Sequence, residues 1–381
     1  MSASDRFLTT HVGSLPRPEA LLDLVFAREG GEQVSEADFD AAVEAATAYV
    51  IKRQIEAGVS VVNDGEQSKP SYATYIKNRL SGFGGEAGQY EFADLEAFPG
   101  AKAQVFGNKG RAKRTAPACT APITVIDMDA PRIDAERLKR LATNEDGGGH
   151  ATFMSAASPG VTALFFPNQY YASDEEYVFA LAEGLRHEYE TIAAAGITLQ
   201  VDCPDLAMGR HVQFTHLSLE DFRKRIGMNI AALNHAVQNI PAEQLRMHLC
   251  WGNYPGPHHC DVALGEIADI VWTAKPQTVL IEGANPRHAH EFAFFEEHPL
   301  PDGKILCPGM VEPQSPYIEH PEVIAQRIGR YADLLGRERV MAGVDCGFSV
   351  HAGSNSLDPE IVWAKLAALS EGAHIASARY W

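Results

Sequence analysis

Along most of this chain a short apolar run rich in β-branched residues gives way to a turn of Gly, Pro, Asp or Asn. An amphipathic stretch of about 12 to 20 residues then follows. That alternation is the βα pattern of a parallel sheet. The runs predict eight strands, over Phe7–Gly13, Ser60–Asp64, Ala151–Ala157, Thr198–Asp202, Arg246–Leu249, Thr278–Ile281, Lys304–Cys307 and Arg339–Val344. Apolar positions three or four apart predict helices over Glu36–Ala57, Asp174–Ala195, Glu220–Val237, Val262–Lys275, Pro286–Glu297, Pro321–Leu335 and Pro359–Leu369. Two start with strong caps, Ser35 with Asp38 three residues on and Ser173 with Glu176 three residues on. Eight strands with intervening helices predict a (β/α)8 barrel, with a doubly wound open sheet as the alternative. A single domain over 1–381 is expected. Its surplus length is an insertion after the second strand, Gln67–Gly149, which holds the β-like run Ala121–Met128. That segment reads as an elaboration over the barrel mouth or an embedded hairpin.

Composition narrows the function. With 45% apolar and 22% charged residues, 381 residues build a globular core, so global disorder is excluded. A formal charge of −18 repels polyanions, and the basic run Lys109–Arg114 reads as a solvated loop, so no nucleic-acid partner is expected. No apolar stretch reaches the length of a membrane span, and the first residues lack the apolar core of a signal peptide. A cytoplasmic protein without membrane contact is expected. Six cysteines, Cys119, Cys203, Cys250, Cys260, Cys307 and Cys346, contain no close CxxC pair, which argues for buried thiols or metal ligands over a disulfide framework.

A parallel barrel carries its chemistry at the C-terminal strand ends. Reading each end gives Ser14, Asp64 and Glu66, Asp202 and Asp205, His248 and Cys250, Glu282, Glu312 and Gln314, and Asp345 and Cys346. The sharpest signal is His248-Leu249-Cys250, because residues i and i+2 of a strand face the same side and an imidazole and a thiolate can meet one ion. Glu282 and Cys346 arrive at the same rim, and soft thiolates with an imidazole select zinc. Core thiols and a hydrogen-bonded core histidine remain the plain alternative for these positions. A zinc with two thiolate ligands suits alkyl transfer to a third thiol, kept deprotonated. A hydrolase more often shows His and carboxylate ligands.

These residues sit in a familiar order. Thr9-Thr10-His11-Val12-Gly13-Ser14-Leu15-Pro16, Asp64-Gly65-Glu66, Ser158-Pro159-Gly160-Val161-Thr162, Gln200-Val201-Asp202-Cys203-Pro204, His248-Leu249-Cys250, Ile281-Glu282, Pro308-Gly309 and Asp345-Cys346-Gly347 run from end to end. Together they resemble the C-terminal catalytic barrel of cobalamin-independent methionine synthase. The resemblance implies a zinc enzyme that moves a methyl group from 5-methyltetrahydrofolate, or its polyglutamate form, to homocysteine, giving methionine. It implies zinc ligands His248, Cys250, Glu282 and Cys346, with Cys250, Glu66 and Asp202 catalytic. Ser14, Glu66 and Asp202 would hold the amino-acid thiol, the two carboxylates facing its ammonium group. For Glu66 and Asp202 the residues alone favour loop caps at strand ends. A homo-oligomer or a methyl-delivering partner protein is left open.

The departures from that family bear on the methyl donor. The family's Asp-Ile-His-Ser-Pro stretch, whose His is a candidate proton donor, is here Glu312-Pro313-Gln314-Ser315-Pro316, and the amide of Gln314 is no general acid at neutral pH. Cys203 replaces an acidic residue, and Phe165 or Phe166 stands where a Trp is expected beneath a pterin. The longer motif Cys250–His259, with Ala284–His288 and Glu319–Glu322, also looks like epoxyalkane:coenzyme M transferase. That reading needs cations for a sulfonate, for which Arg17, Lys69, Arg210 and Arg287 are candidates, and an acid among His11, His320 and Tyr254. A non-catalytic metal-binding accessory protein is the reading from another class. His258-His259 with Cys260 could form a second metal site, although the two histidines alternate direction if extended. Phe165, Phe166, Tyr170 and Tyr171 could stack on a flat donor or serve packing alone. Gly147-Gly148-Gly149 precedes a strand and is no nucleotide loop.

Overall fold

A computed structural model describes residues 5–87, 92–106, 117–143, 149–354 and 357–381; Lys109–Arg114, Gly147 and Gly148 lie outside them. The strands are β1 (Val61–Val62), β2 (Phe83–Gly84), β3 (Ala118–Cys119), β4 (Ala151–Ala157), β5 (Thr198–Asp202), β6 (Leu245–His248), β7 (Thr278–Ile281), β8 (Ile305–Val311) and β9 (Gly343–Val344). Seven of them form one sheet in the order β1-β4-β5-β6-β7-β8-β9, with β1 parallel to β4, β5 to β6 and β8 to β9. β2 and β3 pair antiparallel as a separate two-stranded sheet.

The predicted first strand, Phe7–Gly13, is an extended segment with a single parallel bridge from Thr9 to Ala342. Its backbone nevertheless serves two neighbours. The Thr10 N–H donates to the Ala342 carbonyl (3.0 Å), the Ala342 N–H to that of Leu8 (2.9 Å), and the Val61 N–H to that of Thr9 (3.0 Å). Towards β1 the ladder gives way to hydroxyls: the Thr9 N–H donates to Ser60 Oγ (3.2 Å) and the Ser60 N–H to Thr9 Oγ1 (2.9 Å). The segment thus occupies the eighth strand position, and the parallel order is that of the expected (β/α)8 fold.

The chain groups into two compact units, Met1–Tyr72 with Ile133–Ser155 and Leu280–Trp381, and Ala73–Arg132 with Ala156–Val279. In the first, Val12, Val61, Phe153, Leu280, Ile305, Cys307 and Met341 form a buried cluster fed by successive strand positions. Helices Glu36–Glu56, Pro321–Leu335 and Pro359–Tyr380 lie outside that cluster, each capped by the side chain before it, Ser35, His320 and Asp358. In the second unit Asp174–Ala194 and Leu219–Ala236 are capped by Ser173 and Ser218.

Two expected helices break up. Val262–Lys275 yields a 3-10 turn, Leu264–Glu266, and one α-turn, Ala268–Val271; Pro286–Glu297 yields Ala289–Ala293 and Phe294–Glu297. None of these four pieces has a side-chain cap, so nothing offsets the cost of nucleation. The β-like run Ala121–Met128 is not a strand: it makes one bridge, Leu80 to Val125, and leaves Ile126 and Met128 exposed. The expected insertion Gln67–Gly149 instead contributes the β2–β3 pair and the helix Ala130–Leu141.

Candidate active site

In the second unit β5 and β6 run parallel with Asp202 level with His248, which places the last residue of each strand side by side. His248 Nδ1 lies 3.8 Å from Asp202 Oδ1, and both side chains are buried. One pleat repeat below them Gln200 and Arg246 face the same way. Arg246 Nε donates to Gln200 Oε1 (2.8 Å), and Gln200 Nε2 donates to Asp202 Oδ1 (2.7 Å). This relay orients the Asp202 carboxylate. Beyond the strand, Cys250 Sγ accepts the Gly252 N–H at 3.2 Å, and the Trp251 indole N–H is tied to the Val262 carbonyl (2.6 Å). Gly252 has φ 109°, a left-handed conformation that favours glycine and aims its N–H back at the sulfur. At Cys203, burial together with Asp205 and Asp202 pushes the thiol well above the ordinary range, so it stays protonated.

In the first unit the end of β7 and the turn after β9 meet. Asp345 accepts the backbone N–H groups of Gly283, Ala284 and Asn285, each at 2.8 Å, and the Asn285 side-chain amide at 2.7 Å. The same amide donates to Glu282 Oε2 (2.6 Å), which also receives Arg287 (3.1 Å). Asn285 thereby links two buried carboxylates. Burial first, and Glu282 second, push the Asp345 carboxyl up to about 6. Cys346 follows directly and is buried. A Cβ on Gly347 would come within 2.0 Å of Ser14 Oγ, so only glycine lets this turn lie on Ser14.

Glu66 is buried after β1 with φ 57°, and its Oε1 accepts Ser155 Oγ at 2.7 Å. A left-handed non-glycine residue at a strand end is a strained conformation that persists where the surroundings over-determine it. Here Arg17 does so, donating to the Glu66 and Lys69 carbonyls (2.7 and 2.9 Å) and to that of Ser349 (3.0 Å). Burial raises the Glu66 carboxyl, opposed by Lys69, Ser155 and Arg17.

The remaining expected residues are dispersed. Phe165 is half-buried beside Leu164, Met208 and Val212. Phe166 is a core ring with no exposure, 4.4 Å from Phe83. Gln314 is half-buried in a turn organised by Glu312, which accepts the N–H groups of Gln314 (2.9 Å) and Ser315 (2.7 Å). That turn is braced by the buried Lys365–Glu319 pair (2.9 Å), Glu319 accepting the Glu312 N–H. The four cations considered for a sulfonate are all engaged: Arg17 as above, Lys69 on the Ser155 carbonyl, Arg210 on that of Phe214, and Arg287 on Glu282.

Asn285, Gln200, Arg246 and Ser155 carry no role in the sequence reading. Gln200 and Arg246 were within its reach, being polar residues two positions before Asp202 and His248 on strands that otherwise read as apolar. Among the described residues, side chains with the composition to hold a metal ion include His248 with Cys250, and the set His211, His258 and Asp261.

Residues 7–358 match the family model described as "Cobalamin-independent synthase, Catalytic domain". Similar curated proteins include methionine synthases of Thermococcus kodakarensis, 25% identical over 96% of this chain and 92% of its own, and Saccharolobus solfataricus, 24% identical over 96% and 94%. Two solved structures share the fold. One is a B12-independent methionine synthase from a Shewanella species in complex with selenomethionine (TM-score 0.72, 16% identity, 99% of each chain). The other is a putative vitamin-B12-independent methionine synthase from Listeria monocytogenes (TM-score 0.67, 17% identity, 100% of this chain and 99% of its own). With the fold and its strand-end chemistry in place, this chain belongs to the cobalamin-independent synthase family, whose catalytic domain occupies nearly its whole length.

Proposed function

We propose that the protein is a zinc-dependent S-methyltransferase that passes a methyl group from a 5-methyltetrahydrofolate to homocysteine, giving methionine. The observation that carries this reading is the His248-x-Cys250 pair at the end of β6, both side chains buried and the Cys250 sulfur receiving a backbone N–H. Glu282 and Cys346 complete the proposed ligand set. Two thiols, an imidazole and a carboxylate suit zinc over magnesium or calcium. When bound, zinc would supply the positive charge that keeps an acceptor thiol deprotonated at neutral pH.

The chain's own residues supply the rest. The Gly252 N–H orients the Cys250 sulfur, and Asn285 and Arg287 fix the Glu282 carboxylate as outer partners of a ligand do. Glu66, Asp202 and Ser14 are assigned to the acceptor, the two carboxylates taking its ammonium group. Of the two candidate rings, Phe165 retains exposure for a flat donor. Gln314 can orient a donor by hydrogen bonds and moves no proton.

Cys250→Ser is expected to lose the zinc of this site and at least about 100-fold in methionine formation from homocysteine and 5-methyltetrahydrofolate, because removing even an outer partner of a ligand costs roughly 10- to 100-fold. Metal analysis and methionine release check it together; full turnover in that variant would overturn the assignment.

A further inference from the structure

A second cluster lies wholly within the unit that contains β5 and β6, and the proposed reaction does not use it. His211 stands on the short helix Gly209–Val212, while Tyr254, His258 and Asp261 belong to the segment after Cys250, and Asp94 to the turn Ala93–Glu96. His211, His258 and Asp94 are buried. One ligand atom each from His211, His258 and Asp261 lies within 4.8 Å of the others.

The placement of protons leaves room for a cation. Tyr254 donates its hydroxyl hydrogen to Asp94 Oδ2 (2.5 Å), since an ionised carboxylate only accepts. The tyrosine oxygen then receives a hydrogen from His211 Nε2 (3.3 Å). His258 Nε2 faces the Tyr254 carbonyl (3.1 Å), which also only accepts, so that nitrogen carries hydrogen too. In neutral imidazoles both Nδ1 atoms are consequently bare lone pairs. Both point at one carboxylate: His211 Nδ1 is 3.0 Å from Asp261 Oδ1, and His258 Nδ1 is 2.9 Å from Asp261 Oδ2. The first of these contacts lacks the alignment of a hydrogen bond although both atoms are buried. Lone pairs facing carboxylate oxygens repel unless a positive charge stands among them. The cluster also contains two carboxylates, Asp94 and Asp261, which one divalent ion would neutralise.

The backbone agrees. His258 has φ 54°, one of two non-glycine residues with positive φ among those described. Its N–H donates to Asp94 Oδ2 (3.0 Å), and its ring is held at Nε2 on the Tyr254 carbonyl. Such strain persists where contacts over-determine a residue, commonly at ligand clamps.

We propose that His211 Nδ1, His258 Nδ1 and the Asp261 carboxylate form a second metal site, for a divalent first-row ion, structural in role. Imidazole and carboxylate donors suit zinc, manganese, iron or cobalt and lack the thiolates that single out zinc at the HxC pair. The ion would pin the segment after Cys250 to the helix Gly209–Val212, and so hold the position of Cys250.

The full chain, stripped with a chelator and dialysed against cobalt(II) alone, tests this. The expected result is two equivalents of cobalt per chain in the unaltered protein, and one in each of Asp261→Asn, His211→Gln and Cys250→Ser. In Asp261→Asn and His211→Gln the remaining ion keeps the intense thiolate-to-cobalt absorption; in Cys250→Ser that absorption is lost or strongly reduced. Two histidine-site variants guard against one that misfolds, and their circular dichroism checks the fold. An unaltered protein that binds one equivalent, lost in Cys250→Ser and kept in Asp261→Asn, would overturn the second site while leaving the proposed catalytic metal intact. Two equivalents in the unaltered chain and still two in both His211→Gln and Asp261→Asn would overturn it as well.

Discussion

Asp205 shows how one buried carboxyl turns stability into a function of pH. It has almost no exposure and accepts Ser158 Oγ (2.8 Å) and the Asn229 amide (2.9 Å), with Gly160 packed so closely that a Cβ there would come within 2.0 Å of Oδ2. Burial raises its carboxyl from the ordinary 3.8 to about 6, the two hydrogen bonds opposing. The folded chain therefore keeps this proton where the unfolded chain has lost it. Between pH 4 and 6 the native state binds more protons, so this group's contribution falls as pH rises, by about 2 kcal/mol over the window. Asp205→Asn, with Asn229 turned to present its oxygen, is expected to remove that fall. Urea unfolding at a series of pH values checks it, and an unchanged pH slope would count against the assignment. At this scale the sequence singles out His248 and Cys250 because strand geometry fixes residues two apart. It gave no role to Asn285, whose partner Asp345 is 60 residues away, or to His211, whose partner Asp261 is 50 residues away. Local spacing carries no information about such pairings.

Among elements, the side-chain caps explain which amphipathic stretches became helices. Ser35 and Ser173, read in advance, precede helices that start where expected at Glu36 and Asp174, whereas the uncapped Val262–Lys275 and Pro286–Glu297 broke into short turns. Neither periodicity nor a side-chain cap marks the helix over Glu19–Glu29 in the sequence. Helix packing yields a paired prediction. A Cβ at Gly372, in Pro359–Tyr380, would meet Ile324 Cβ and Cγ2 at 2.5 Å and the Pro321 carbonyl at 2.8 Å. Gly372→Ala is expected to destabilise the chain by about 1–3 kcal/mol through overpacking. Gly100, in Pro99–Phe106, has open space at the same position, so Gly100→Ala is expected to be stabilising by up to about 1 kcal/mol. Denaturant midpoints of the two variants should move in opposite directions.

For the whole molecule, the parallel architecture was legible because eight apolar runs recur between helical stretches, and seven of them appear as strands of one sheet. The eighth was read as a strand and is held partly by Thr9 and Ser60 hydroxyls, a substitution that apolar periodicity cannot register. The formal charge of −18 bears on the fold as self-repulsion. Raising ionic strength from about 0.01 to 0.15 M shortens the reach of charge from roughly 30 to 8 Å. Tm is expected to rise by about 1–3 °C over that range; a fall would mean that attractive ion pairs dominate. The bridging segment at residues 8–10 has a consequence for folding. One backbone partner, Val61, is near in sequence, whereas the other, Ala342, is more than 330 residues away. Bringing ends together over that span costs entropy that no local contact offsets, so the pairing with Ala342 belongs to the late stages of folding.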